Sequence, residues 1–306
     1  MATAVAPTAL AAEEDEFHLQ RNLVWRRFRR HRLALAGGVI FGLTILIAIL
    51  ANWIAPWDPN YIDQAHWTGY PLAPGIAGHI LGTDENGRDL LSRLIFGARI
   101  SLTVAVFAVA MEITLGTVLG AIAGYYGGFV DFIIMRITDV VLSIPLLPLL
   151  LVLTAIVAQT SNKASLNFAT IVLIIGFLTW PPVARIVRAV FLSLRERDYA
   201  EAARALGNND GRIIFRHLLP NAIAPIIVQA TLEVANVIIL ESTLSFLGFG
   251  IQPPTASWGN MLANAQANMA IAPWAAVFPG LCILITVLAI NYLGDGLRDA
   301  LDPNMR

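Results

Sequence analysis

Residues 33–54 have the sequence LALAGGVIFGLTILIAILANWI and contain no charged side chain. A helix needs about 20 mostly apolar residues to cross the hydrocarbon core of a bilayer, so this stretch is long enough to span a membrane. Five further stretches are similarly long and mostly apolar, at 100–124, 132–158, 168–191, 222–247 and 274–294. The sequence therefore predicts an all-α polytopic membrane protein with six transmembrane helices.

The overall composition agrees with a membrane protein. The 306 residues are 57% hydrophobic and only 13% charged, whereas soluble domains contain about 25% charged residues. The single cysteine, Cys282, lies inside an apolar run. A disulfide framework and a cysteine-based metal cluster are therefore excluded.

The positions of the basic residues predict the orientation. Fifteen of the 20 basic residues lie before the first span, in the segment 184–220 that leads from the fourth span to the fifth, or after the sixth span. Because Lys and Arg concentrate on the cytoplasmic side, those three segments are predicted to be cytoplasmic. The predicted organisation is a cytoplasmic tail (1–32), a first transmembrane helix (33–54), an extracytoplasmic segment (55–99), a five-helix core (100–295) and a second cytoplasmic tail (296–306). Acidic residues at 13–16 precede the basic cluster, which is not the pattern of a cleaved signal peptide.

The extracytoplasmic segment ends in a helical pattern. Thr83 or Asp84 can begin a helix, and apolar side chains at 90, 91, 94 and 95 share one of its faces. The pattern predicts an amphipathic helix, which lies in the membrane interface or forms an outer gate or docking surface. In the charge-free loop between the fifth and sixth spans, Trp258 and Trp274 are expected at the level of the lipid headgroups.

Ionisable residues inside the predicted spans are costly, so each marks a candidate site. We interpret three of them near one end of the third span as a structural ion pair between helices: Asp131, Arg136 and Asp139. In the fifth span Glu233 and Asn236 share a helical face, with Glu241 about 80° away. These three residues either line a translocation path or form buried hydrogen bonds between helices. Prolines 145, 148, 181 and 182 are expected to kink or interrupt the third and fourth spans.

The chain lacks the motifs of an energy-converting or hydrolytic enzyme. Its one lysine, Lys163, stands in SNKAS, without the glycines or the Ser/Thr of a phosphate-binding loop. The H-E-x-x-H and G-x-S-x-G patterns are also missing, and the five histidines are scattered. The sequence thus predicts no ATPase, no metal site, no cofactor and no catalytic activity of its own.

One polar stretch, DYAEAARALGNNDGRIIFRHLLPN at 198–221, lies between the fourth and fifth spans. Asp198 and Glu201 have the spacing of a capping box, and Gly207 suits the left-handed position after a helix. A second helix is expected to begin at Asn209 or Asp210 and to stop before Pro220. Small alanine side chains on the first helix leave a surface that a partner can approach closely. A plain interfacial helix is the alternative.

The same stretch carries a resemblance to a known family. Glu201, Ala202, Ala203, Gly207, Leu219 and Pro220 resemble the motif E-A-A-x₃-G-x₉-I-x-L-P of permease subunits in ABC importers, with His217 in place of the isoleucine. Three longer segments resemble the C-type permease of dipeptide, oligopeptide and nickel importers: LGTDENGRDLLSRLIFGARISL, GYYGGFVDFIIMRITDVVLSIP and ESTLSFLGFGIQPPTASWGNML.

The resemblance implies a type I ABC importer permease fold in a bacterial or archaeal plasma membrane, with both termini cytoplasmic. It implies three kinds of protein partner: a homologous permease, two cytoplasmic ATPase subunits or domains, and an extracytoplasmic substrate-binding protein. It also implies contact with membrane lipid and no nucleic-acid partner. The implied ATPase-coupling residues are Asp198, Tyr199, Glu201, Ala202, Ala203, Gly207, His217, Leu219 and Pro220.

The expected function is import of di- or oligopeptides through a path of which this subunit forms half. Nickel, glutathione, opines and oligosaccharides stay open as substrates. The alternative is an ion-coupled secondary transporter that uses Glu233 and Glu241 as a proton relay.

Overall fold

A computed structural model describes residues 26–160 and 168–301. Most of the predicted N-terminal tail, Lys163 and the last five residues lie outside this part of the chain. Within it the backbone is helical, apart from loops and two isolated β-bridges. The helices are α1 (Arg32–Ile49), α2 (Ala51–Ile54), α3 (Leu90–Tyr126), α4 (Gly128–Ser143), α5 (Leu146–Thr160), α6 (Phe168–Leu194), α7 (Asp198–Ala205), α8 (Asp210–Arg212), α9 (Leu219–Phe246), α10 (Trp258–Ala265) and α11 (Trp274–Leu301).

Five helical stretches in the described residues are long and apolar enough to cross a membrane, and six if the bent pair α4 and α5 forms one span. The two helices of that pair meet at 86°. Ile144, between them, has an extended backbone, as expected for a residue that precedes proline. The predicted interruption of the third span is therefore present at Pro145. By contrast, α6 continues through Pro181 and Pro182 without a break.

The centre of the fold is the pair α3 and α6, which pack closely along their length. Gly116, Gly120 and Gly124 lie one helical turn apart on the face of α3 that meets α6. A Cβ atom on Gly120 would lie 2.5 Å from the carbonyl oxygen of Ala184. Small residues let two membrane helices approach in this way, so these glycines set the distance between α3 and α6.

The amphipathic helix predicted over residues 83–99 is not a separate element. Helix α3 begins at Leu90, where Asp89 caps it by accepting a hydrogen bond from the Ser92 amide at 2.7 Å, and it runs unbroken to Tyr126. Residues 83–89 form a tight turn, with Gly87 at φ 78° and a bridge between Thr83 and Asp89. The predicted apolar face is therefore the buried first turn of a transmembrane helix, not an interfacial surface.

The segment before α3 has a buried core of ionisable groups: Asp63, His79 and Asp89. His79 is fully buried, with Nδ1 2.8 Å from Asp89 Oδ1 and Nε2 3.3 Å from Asp63 Oδ2. His66, which is more exposed, lies 2.8 Å from the same Asp63 oxygen. Burial raises the pKa of the Asp63 carboxyl, but hydrogen bonds with His66 and His79 outweigh it and bring that pKa below its ordinary value.

The expectation for Trp258 is wrong. This side chain is 1% exposed, and its indole N–H donates to the Leu94 carbonyl oxygen at 3.1 Å. A capping box between Ser257 and Asn260 begins α10 and turns it into the helix bundle. An aromatic residue in an uncharged loop resembled a lipid-interface residue, but its N–H has a partner inside the protein.

Candidate functional site

The segment that leads from α6 into α9, residues 195–220, contains all nine predicted coupling residues, and we call it the coupling segment after that prediction. Its first helix, α7, begins at Asp198, and the N-cap is Arg197, whose side chain makes no capping bond. The predicted capping box is therefore wrong, because Asp198 is already the first helical residue. Asp198 and Glu201 still lie in the first turn, where a carboxylate interacts favourably with the helix dipole.

The end of α7 is as predicted. Gly207 has φ 75°, a conformation that glycine adopts without a steric penalty. The Gly207 amide donates to the Arg204 carbonyl at 2.9 Å, and the Asn208 amide donates to Ala203 at 3.2 Å. This pair of hydrogen bonds is the Schellman motif, and it fixes the direction in which the chain leaves the helix.

Helix α7 has one face inside the protein and one outside. Ala200 and Ala203 are buried in a small core that includes Phe191, Ile213 and Leu218. The opposite side exposes Tyr199, Glu201 and Ala202. At its end Leu206 is 83% exposed, and Phe215 nearby in sequence is 70% exposed. Only part of the predicted alanine surface is therefore free, and it adjoins exposed apolar side chains.

Contacts that the sequence analysis missed fix this segment to the end of α3. The Tyr125 hydroxyl donates to Asp210 Oδ1 at 2.7 Å, and the Arg204 guanidinium lies 5.6 Å from the centre of the Tyr125 ring. Arg195 donates to the carbonyl oxygens of Gly124 and Tyr125 at 3.2 and 3.3 Å. The only sequence signal was the pair of tyrosines in GYYGG, which has no periodicity to mark it.

The second helix of the segment does not stop before Pro220, contrary to the prediction. Asn209 caps α8 by accepting from the Arg212 amide at 2.9 Å, and a π-helical turn, Ile213–Leu218, then leads directly into α9. His217 lies in this wider turn, and Leu219 and Pro220 begin α9. Pro220 removes one backbone hydrogen bond from this stretch, and the wider π-helical turn lies immediately before it. Residues 210–246 thus form one continuous helical rod.

The three ionisable residues of α4 do not pair with one another. Asp131 binds Arg188 of α6 through both carboxylate oxygens, and Asp139 accepts from Arg185 Nη2 at 2.5 Å. Arg136 takes no part in these two pairs and lies over the Phe132 ring, 5.4 Å from its centre. Ion pairs between helices are therefore present, but their arginines belong to α6, and Arg136 is in neither pair.

A cavity of about 530 Å³ lies where the α4–α5 break faces α6 and α9. Its lining residues are Val141, Leu142, Ile144, Pro145, Leu146, Leu178, Thr179, Pro182, Glu233, Asn236, Ile239 and Leu240. Two of the predicted path residues therefore share this wall. Asn236 Nδ2 donates to Glu233 Oε2 at 3.0 Å, and Gln229 Nε2 donates to Glu233 Oε1 at 2.5 Å.

The third predicted path residue lies elsewhere. Glu241 is fully buried and accepts hydrogen bonds from Ser101 of α3 at 3.0 Å and from Ser245 at 2.7 Å. Ser101 in turn lies 3.4 Å from the Trp258 amide nitrogen, so this carboxylate joins α9, α3 and α10. Glu233 and Glu241 do not face one chamber, which leaves the proton-relay alternative without a geometric basis.

The chain matches two family descriptions. Residues 116–306 match the binding-protein-dependent transport system inner membrane component, and residues 20–74 match the N-terminal TM domain of oligopeptide transport permease C. Two curated relatives, from Pectobacterium atrosepticum and Escherichia coli O6:K15:H31, are each named glutathione transport system permease protein GsiD. Each is 43% identical over 283 residues, covering 92% of this chain and 90% of the relative.

Solved structures agree on the fold. The MetNI methionine ABC transporter in an inward-facing conformation superposes with a TM-score of 0.54 at 19% identity, over 70% of this chain and 98% of that one. An amino acid ABC transporter solved with histidines gives 0.52 at 18% identity, over 68% and 94%. At these identities the likeness concerns the fold alone.

Proposed function

Since the chain belongs to the family of binding-protein-dependent transport system inner membrane components, and is thus a permease subunit of an ABC importer without enzymatic activity, we propose that its cargo is small peptides. The relatives named for glutathione transport and the match to an oligopeptide permease domain support this substrate class. Glutathione is itself a modified tripeptide, so one class covers both names.

We propose that the protein assembles with a homologous permease, two cytoplasmic ATPase subunits or domains and an extracytoplasmic substrate-binding protein. Both termini and residues 195–220 would then be cytoplasmic, as the distribution of arginine predicts. Helix α7 would be the coupling helix that contacts an ATPase. Its exposed Glu201, Ala202 and Leu206 would form the contact, while buried Ala200 and Ala203 fix the helix to this chain.

The observation that carries this mechanism is the continuous helical rod over residues 210–246. One end of the rod lies in the coupling segment, bonded to Tyr125, and its middle part forms the wall of the cavity with Glu233 and Asn236. A displacement of the coupling segment would therefore be passed along this helix to the cavity wall, which is how remote ATP binding can change access to a path. Tyr199, Gly207, His217, Leu219 and Pro220 would serve this coupling by shaping the segment.

The ion pairs between α4 and α6 have a different role in this proposal. They hold the cytoplasmic half of the bent span, with Asp131 and Asp139, against α6. The break at Pro145 then leaves α5 to change its angle while α4 stays in place. Arg136, whose charge is unmatched in these pairs, is available to a partner subunit.

The first test is purification of the tagged subunit in mild detergent from its native host, followed by mass spectrometry of the proteins that accompany it. A second permease together with one or two ATPases containing a phosphate-binding loop is the expected result. Recovery of a lone protein or a homo-oligomer that still transports would contradict the proposed assembly.

A mutational test follows on the same complex, with Glu201→Arg and Gly207→Asp. We expect both variants to insert normally and to lose ATP-dependent uptake of a small peptide. Gly211→Asp is the matched control, since Gly211 has no positive φ and has open space around its Cβ position. Uptake by Gly207→Asp at the level of the Gly211→Asp control would show that the turn has no role in coupling.

A further inference from the structure

The cavity at the α4–α5 break has an unusual distribution of charge. Nine of the 12 described residues that line it are apolar. Among these 12, Glu233 is the one ionisable residue. The two arginines of α6, Arg185 and Arg188, are paired with Asp139 and Asp131. The negative charge of Glu233 therefore has no neutralising partner among the described residues.

The Glu233 carboxylate is held in place, yet it keeps capacity for a ligand. Gln229 and Asn236, one turn to either side on α9, each donate one hydrogen bond to a different oxygen. An ionised carboxylate has about four acceptor positions, so about two remain after these bonds. Because the side chains of Gln229 and Asn236 are neutral amides, they orient the carboxylate without bringing a positive charge.

A second carboxyl group lies behind this wall. Glu112 of α3 is fully buried, and its Oε2 accepts from the hydroxyl of Thr179, which lines the cavity. Its other oxygen, Oε1, has no hydrogen-bond partner among the described residues. A buried acceptor of this kind is costly unless a donor reaches it.

We propose that Glu233 binds the positively charged amino group of the transported molecule as it passes through the cavity. This inference rests on the proposed function and narrows it, because it selects substrates with a free primary ammonium group, such as peptides with an unblocked N-terminus. The apolar remainder of the wall makes few polar contacts, so one ionic contact orients the substrate while its side chains slide past. Gln229 and Asn236 are positioning residues for the carboxylate.

The test measures the charge preference of the cavity directly, in the purified full transporter in lipid nanodiscs. Cys282, the one cysteine of the chain, is first replaced by alanine, and Ile239→Cys then places a thiol on the cavity wall. The rates of labelling by a cationic and an anionic methanethiosulfonate of similar size are compared by intact mass spectrometry of this subunit. We expect the cationic reagent to react faster, because Glu233 lies about 9 Å away along the helix axis.

Glu233→Gln should lower the cation-to-anion rate ratio by about fivefold. Glu196→Gln, which removes an exposed carboxylate elsewhere, is the matched control and should leave the ratio unchanged. An unchanged ratio in Glu233→Gln overturns the inference, as does labelling by neither reagent, which would mean that the cavity is not reached from water. ATP-dependent peptide uptake by the wild-type complex, measured on the same preparation, tests the proposed function separately. Normal uptake with an unchanged ratio contradicts only the role of Glu233.

Discussion

The two ends of this helix bundle treat their polar groups in opposite ways. At the end that carries residues 55–89, ionisable side chains are buried and bonded to one another: His79 lies between Asp63 and Asp89, and Arg93 lies 3.1 Å from Asp84. At the end that carries residues 195–220, the charged side chains and several apolar ones are exposed, and few bonds hold them. We call the first the closed end, because these ionisable groups pair inside it, and the second the open end, because its exposed side chains leave surface for a partner.

The largest expected effect comes from breaking the closed end. His79→Ala leaves Asp63 and Asp89 buried without the imidazole between them, and removing one partner of a buried ionic group typically costs about 3–5 kcal/mol of stability. His66→Ala, which removes a more exposed contact to the same Asp63, should cost far less. Thermal unfolding of the purified complexes measures both. Equal losses in the two variants would show that burial of His79 does not matter.

The next effect separates folding from partner binding at the open end. Leu218 is fully buried in the coupling segment, so Leu218→Ala should destabilise the subunit by about 2–5 kcal/mol. Leu206 is 83% exposed, so Leu206→Ala should change subunit stability by less than about 0.5 kcal/mol. The same variant should weaken ATPase attachment by about tenfold, through loss of apolar contact area. Titration of the ATPase onto the membrane subunits gives the affinity, and an unaltered value would place the contact elsewhere.

A smaller effect concerns the bond that joins the coupling segment to α3. Tyr125→Phe removes the hydroxyl that donates to Asp210, and a single hydrogen bond is worth about 1 kcal/mol. Local opening of α7 should therefore become about fivefold more frequent, which hydrogen exchange of residues 198–212 detects. The neighbouring Tyr126→Phe is the control, since Tyr126 is 53% exposed and no bond to Asp210 depends on it. Equal exchange rates in both variants would mean that the Tyr125 bond does not restrain the segment.

The smallest effect is a dependence on acid at the closed end. The folded pKa of Asp63 lies below its ordinary value, so its contribution to stability is complete above the unfolded pKa of about 3.9. That contribution is lost as the pH falls through the folded pKa. The melting temperature of the complex should therefore fall on acidification below about pH 4, and Asp63→Asn should reduce that dependence. A variant with the same pH profile as the wild type would assign the dependence to other groups.

Most of the architecture could be predicted from the sequence because membrane helices have a strong one-dimensional signal. The long apolar runs give the spans, and Gly207 gives the end of α7, since its position requires a left-handed backbone. The start of α3 was misplaced because Thr83 and Asp84 are good capping residues, yet the bonds of the turn at Gly87 decide that the helix begins at Leu90.

The parts that could not be predicted depend on contacts between distant segments. Arg185 and Arg188, which neutralise the carboxylates of α4, lie about 50 residues away in sequence, so no local spacing connects them to Asp131 or Asp139. The separation of Glu233 from Glu241 has the same origin. Both occupy polar positions on one helix, but only the neighbours of α9 decide that one meets a cavity and the other meets serines.

The unbroken rod from Asp210 to Phe246 restricts the number of residues that it can contain. Each residue added to an α-helix turns everything beyond it by about 100° and shifts it by about 1.5 Å. One inserted residue between Pro220 and Glu233 would thus rotate the carboxylate from the cavity wall towards a neighbouring helix or lipid, although every side chain of the coupling segment and of the cavity remained in the sequence. The number of residues between Pro220 and Glu233 therefore matters more than their identity.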